Sequence, residues 1–175
     1  MTLTKNKYYF EALDNYPYYL SECLEALNYA LSYDPEDPDS LCLMGRIHSE
    51  IVKDYETAKS YFAEAMQYNV TNINTPQHYI KCLLENEDLE EAGKLIAYAM
   101  KIKGIDKYKI LTQQSVLNER KLEFKKAQVS LREARKYARD QSMLDLLKTR
   151  QKFIKSLTEN KKKITGKKKK KKSKA

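Results

Sequence analysis

The sequence predicts an all-α fold of stacked antiparallel helix pairs, closed by a C-terminal capping helix. Two observations carry the prediction. Four segments share one apolar register, whose last alanine recurs at Ala30, Ala65, Ala99 and Ala134, after 35, 34 and 35 residues. The 175 residues hold only four Gly and four Pro, too few for the frequent turns of a β-sandwich or barrel.

The register reads Leu20–Cys23–Leu27–Ala30, Tyr55–Ala58–Phe62–Ala65, Leu89–Ala92–Ile96–Ala99 and Phe124–Ala127–Leu131–Ala134. Offsets 0, 3, 7 and 10 fall on one helical stripe. Alternating large and small groups lets neighbouring helices approach and interlock. These stripes mark the second helix of each pair.

The first helices follow from their caps. One runs from near Leu3 to Asn15, stopped by Pro17, because the residue before a proline disfavours helical backbone. The next starts with Asp37 as N-cap and Pro38 at the first helical position, and reaches about Val52. A third runs from Thr75–Pro76 to about Glu85, and a fourth from about Asp106 to Lys121. Asp54 and Asp88 stand as N-caps of the second helices behind them. The pairs span 3–35, 37–70, 75–104 and 106–139. A ninth helix, 142–159, carries Met143, Leu146, Leu147, Phe153, Ile154 and Leu157. With no partner, it is expected to cover the last repeat's apolar face. Residues 1–160 thus form the repeat domain.

The pattern resembles the tetratricopeptide repeat, a helix-turn-helix unit of about 34 residues. Leu41, Met44, Gly45, His48, Tyr55, Ala58, Phe62 and Ala65 carry the best match, and Ala30–Leu31–Ser32–Tyr33–Asp34–Pro35 is similar to the family's repeat ending. The chain departs from the family in having no Trp. Leu41, Pro76 and Leu111 stand at or near the Trp site. Only Gly45 supplies the small first-helix residue, with Ile80 and Ser115 at the equivalents. Three repeats match well and the N-terminal one is degenerate.

The resemblance implies a right-handed superhelix that acts as a non-enzymatic interaction scaffold, its first helices lining a concave groove for a partner peptide or protein. On that template the groove holds Cys42, Arg46, Ser49 and Glu50, then Gln77, Lys81, Leu84 and Glu85, then Thr112, Val116, Glu119 and Arg120. Arg46 and Lys81 fall on equivalent positions, as do Glu50 and Glu85. They would form a cationic row beside an anionic row, suited to a polar or mixed-charge peptide. The plainer alternative is a set of solvated side chains on an exposed face. The family's Lys/Asn clamp for a terminal carboxylate is not found, which disfavours a chaperone-binding role.

The net charge of +9 is unevenly placed. Residues 1–100 carry a net −10, residues 101–160 a net +9, and the last 15 residues hold ten Lys and no acid. Those lysines are Lys161, Lys162, Lys163, Lys167, Lys168, Lys169, Lys170, Lys171, Lys172 and Lys174. Segment 161–175 cannot bury enough to order itself and is expected to be disordered. A polylysine arm binds polyanions by counterion release, so nucleic acid, ribosomes or an anionic membrane suit it. A purely solubilising tail is the alternative. Lys121, Lys125, Lys126, Arg132, Arg135, Lys136 and Arg139 could extend a polyanion surface, giving an RNA-, DNA- or ribosome-associated protein as the rival function. The acidic and basic ends also suit head-to-tail self-association.

Three Cys without paired spacing read as reduced thiols. With no apolar run of spanning length and no signal-type N-terminus, a cytoplasmic location without a transmembrane segment is expected. His78 and Cys82, at i and i+4, could supply two metal ligands, but a structural zinc site needs four. No cofactor and no enzymatic activity are expected, since no phosphate loop or nucleophile motif occurs. Among the 14 Tyr, Tyr29, Tyr33, Tyr55, Tyr61 and Tyr68 are expected in the helix seams. The crowded Tyr8, Tyr9, Tyr16, Tyr18 and Tyr19 are read as an N-terminal cap or as binding anchors.

Overall fold

The computed structural model describes the backbone of residues 6–172 and the side chains of residues 6–159. Among the described residues the chain is all-α, without a strand, and no helix is long and apolar enough to cross a membrane. It divides into two compact units at Ile105 and Asp106. The first holds α1 (Lys7–Asn15), α2 (Leu20–Tyr33), α3 (Pro38–Ile47), α4 (Tyr55–Tyr68), α5 (Thr75–Glu85) and α6 (Leu89–Ala99). The second holds α7 (Lys107–Arg120), α8 (Phe124–Ala134) and α9 (Gln141–Lys172). A π-helical turn, His48–Val52, continues α3, and a 3-10 turn, Arg135–Tyr137, ends α8.

Caps explain most boundaries. Asp37 accepts from the Ser40 N–H at 2.9 Å, Asp54 from Thr57 at 3.1 Å and Asp106 from Lys109 at 3.2 Å. Asp88 does not cap α6. Its carboxylate accepts instead from Lys59 Nζ at 2.9 Å and Asn86 Nδ2 at 2.8 Å, the first a pairing of two full charges. The expected start near Leu3 lies outside the described residues. The first described helix begins after Asn6, whose side chain accepts from the Tyr8 N–H at 3.0 Å.

Three hairpin turns share one device. Lys53, Glu87 and Leu122 adopt left-handed backbone, with φ of 65°, 64° and 59°, and recur at intervals of 34 and 35 residues. After α5 the Asp88 N–H bonds Leu83 O at 2.9 Å and the Glu87 N–H bonds Leu84 O at 3.3 Å. After α7 the Glu123 N–H bonds Asn118 O at 2.7 Å and the Leu122 N–H bonds Glu119 O at 2.9 Å. Both are Schellman closures. After α3 the Asp54 N–H reaches one residue further back, to His48 O at 2.9 Å, and the π-helical turn absorbs that extra residue.

The repeat stripe forms the core. At offsets 3, 7 and 10 no residue is more than 3% exposed. The offset-0 residues, Leu20, Tyr55, Leu89 and Phe124, are half-buried. Gly45 has a steric reason: a Cβ there would lie 2.9 Å from the Phe62 ring. The seam assignment fails for three tyrosines, because Tyr29, Tyr33 and Tyr68 are exposed. Tyr29 and Tyr33 instead stack on Tyr8 of α1, at 5.3 and 5.8 Å between ring centroids. Tyr55 and Tyr61 are half-buried.

The last helix differs from expectation in length. Its backbone runs past Glu159 to Lys172. Lysine is a good helix former, and cations near a helix C-terminus are favoured by the helix dipole. The ten lysines expected to bind polyanions lie outside the described side chains. Within α9, Leu147 and Ile154 are buried against α8, whereas Leu146 and Phe153 are exposed.

Gly45→Ala is expected to destabilise the protein by about 1–3 kcal/mol through overpacking, measured by urea denaturation, and Phe62→Leu should recover part of the loss. Lys53→Gly should gain about 0.5–1 kcal/mol by relieving left-handed strain. Lys53→Ala, which keeps the strain, should gain nothing in the same titration.

Candidate functional site

In the first unit, α1, α3 and α5 contribute one polar face. At its centre is Glu50, in the π-helical turn. Tyr16, just past α1, donates its hydroxyl to Glu50 Oε2, and Lys81 of α5 donates to Oε1 at 3.0 Å. His78 Nδ1 lies 3.9 Å from the same Oε1. The nearby His78 imidazole and the bonds from Tyr16 and Lys81 hold the Glu50 carboxyl well below the usual carboxylate range, against the opposing effect of burial. Burial, then the Glu50 bond, pushes the Tyr16 phenol up to about 12.

Arg46, one turn before Glu50, lays its guanidinium over the Tyr16 ring, 4.4 Å from its centroid. Such stacking suits a planar, weakly hydrated cation. Arg46 lines a pocket of ≈ 210 Å³ with Tyr9, Asp39, Asn74 and His78. Its Nε is buried and has no hydrogen-bond partner.

Several of the groove residues expected from the sequence are placed differently. Cys42, Ser49 and Leu84 are buried. Cys42 joins the core cluster of Ala58, Phe62 and Cys82, and Ser49 donates to its own helix at Arg46 O, 3.2 Å away. The reason is that α3 has neighbours on several sides, packing on α1, α2, α4 and α5, so only a narrow stripe of it remains open. Arg46, Glu50, Gln77 and Glu85 are half-buried, and Lys81 is exposed.

The charges do not form separate rows. Lys81 pairs with Glu50, and Lys53 pairs with Glu85 at 3.5 Å. Each of these anions is therefore paired with a cation, Glu50 with one from α5 and Glu85 with one from the turn after α3. Tyr16, His78 and Lys53 are the members that sequence reasoning missed as a group. Tyr16 caps the short first helix, outside the Leu20–Ala30 register.

In the second unit, Thr112 donates back to Lys109 O at 2.7 Å. Val116 is half-buried and Arg120 exposed. Glu119 is engaged by α9 of the same unit: Arg150 grips it as a fork, Nε to Oε1 at 2.9 Å and Nη2 to Oε2 at 2.5 Å. That bidentate pair removes Glu119 from the set available to a partner.

His78 and Cys82 turn to different surroundings. Cys82 is buried with its thiol 3.9 Å from Tyr55 O, and burial pushes that thiol up to about 11. Among the described residues no group of three or more His, Cys, Asp or Glu is placed to hold a metal ion. Cys23, Cys42 and Cys82 are all buried, and none of them forms a disulfide.

The sequence matches no family model, and no curated protein is significantly similar to it.

The depressed Glu50 pKa fixes the sign of an acid dependence. The stabilisation is fully present above the ordinary carboxylate value of about 4.3 and is lost as pH falls from there through the lower folded value. Wild type should therefore lose its stability advantage over Glu50→Gln as pH falls below that value. Paired denaturation curves across the acid range measure it, and a constant gap would contradict the network.

Proposed function

We propose that the chain is a non-enzymatic adaptor of tetratricopeptide type. In this reading the helix pairs stack into a right-handed superhelix, and a polar peptide or protein segment docks on the α1–α3–α5 face. The Lys-rich segment would add a general affinity for polyanions.

The observation that supports this most directly is Arg46. Its guanidinium is immobilised on Tyr16, lines an open pocket and retains a buried Nε without an acceptor. A buried donor left unpaired costs about 1–3 kcal/mol. A partner carbonyl or carboxylate entering the pocket would supply the acceptor, with Asn74 and His78 beside it to fix orientation. Because Glu50 is already paired with Lys81, the face presents few free charges. Recognition there would rest on shape and hydrogen bonding, as suits a polar segment held in one register.

The test is a crosslinking pull-down from the native cell with the full chain, with and without nuclease. Partners held by the face should survive nuclease. Arg46→Ala should weaken the interaction by about 10–100-fold, the value of one charge-assisted hydrogen bond, with thermal melting confirming a folded variant. Retention of the same partners by Arg46→Ala, or complete loss on nuclease treatment, would rule the reading out.

A further inference from the structure

In the second unit, α8 and α9 enclose a cleft of ≈ 330 Å³ lined by Gln128, Arg132, Arg135, Gln151 and Lys155. Gln128, Arg132 and Arg135 follow one another at helical spacing along α8 and its final turn. Gln151 and Lys155 sit at i and i+4 on α9, so both belong to one helix face. The lining therefore combines three cations with two amides and contains no carboxylate.

These three cations converge on one cleft without a carboxylate partner. Five of the seven acids in residues 101–160 are engaged with other cations. Glu123 pairs with Lys126 at 2.8 Å, Glu133 with Lys136 at 2.7 Å and Asp145 with Lys148 at 2.9 Å. Asp106 pairs with Arg139 at 3.6 Å, and Glu119 with Arg150. Among the described residues, the side chains of Arg132, Arg135 and Lys155 make no ion pair or hydrogen bond. Like charges converging without a counter-charge repel one another, and an anion placed among them relieves that repulsion.

We propose that this cleft binds the phosphate backbone of a single-stranded nucleic acid. Two guanidiniums offer planar forks that match phosphate oxygens, and the two amides add neutral donors of the kind that contact backbone. A concave cleft between two helices admits one strand. The cations also continue in sequence: ten Lys begin at Lys161, six residues beyond Lys155, on the helix whose backbone reaches Lys172. From Lys155 to Lys172 that helix rises about 26 Å at 1.5 Å per residue. A ligand that uses both ends must be an extended polyanion with regularly spaced charge. An anionic membrane fits less well, because no aliphatic or aromatic side chain lines the cleft to insert.

Binding of a fluorescent oligouridylate to the full-length protein, followed by anisotropy between about 50 and 200 mM salt, tests this. Arg132→Glu/Arg135→Glu should weaken binding about tenfold and reduce the slope of log K against log salt by roughly 1.4, the value for two phosphate contacts on a single strand. Lys126→Glu/Lys136→Glu makes the same change in net charge outside the cleft and should weaken binding less than about twofold. Arg132→Gln/Arg135→Gln serves as the milder pair and should show the same order if the reversal unfolds the protein. Oligothymidylate should bind similarly, since the backbone is shared. Equal losses from the two Glu pairs would overturn the proposal. So would displacement of the RNA by polyglutamate at matched charge, or binding to phosphatidylserine vesicles without binding to RNA.

Discussion

A helix that reverses within three residues must lie against its predecessor, and that constraint governs the rest of the structure. The reversals at Lys53, Glu87 and Leu122 each use one left-handed residue. Helices joined so tightly can only pack if the second presents small groups at the contact, which is the role of Ala58, Ala92 and Ala127 near its start and Ala65, Ala99 and Ala134 near its end. All six are fully buried. Where the intervening large residue is Phe62, the facing position has shrunk to Gly45, because nothing larger fits beneath the ring. Interiors this dense transmit any change in size to their neighbours.

The same periodic signal explains why the fold is more legible in the sequence than the site. Helix stripes, proline-started helices and the caps at Asp37, Asp54 and Asp106 are local features, and each is governed by a handful of adjacent residues. The left-handed turns are hidden in the sequence because Lys, Glu and Leu stand where glycine would have announced them. Asp88 has the spacing of a cap, but Lys59, 29 residues earlier, claims its carboxylate. Register shows which face of a helix a residue occupies but not how many helices cover that face, so Cys42, Ser49 and Leu84 could not be told from open positions. Tyr29 and Tyr33 illustrate the converse: the aromatic seam forms outside the core, around Tyr8.

Charge composition decides what each unit leaves over. In the basic stretch 101–160, 16 basic side chains face only 7 acidic ones. The acids that form ion pairs each take a nearby lysine or arginine, and Arg132, Arg135 and Lys155 are left without one. In residues 1–100 the balance is reversed, with 7 basic and 17 acidic side chains. There Lys53, Lys59 and Lys81 are all drawn into pairs with carboxylates, whereas Arg46 stacks on Tyr16. An ion pair in a partly exposed setting adds little net stability. Its larger effect is to fix which side chains remain free to meet something else.

Salt would therefore separate the two proposed kinds of recognition within one chain. A partner on the Glu50 face would meet charges that are already compensated, so its binding would depend on hydrogen bonds, which added electrolyte barely screens at contact distance. A strand in the α8–α9 cleft would displace counterions from unpaired cations, and its affinity would fall steeply as salt rises. The two modes need not compete, because they use different residues and different physics. If both proposals hold, such a chain would hold a protein by shape while charge retained it near a polyanion, with ionic strength altering the second attachment far more than the first.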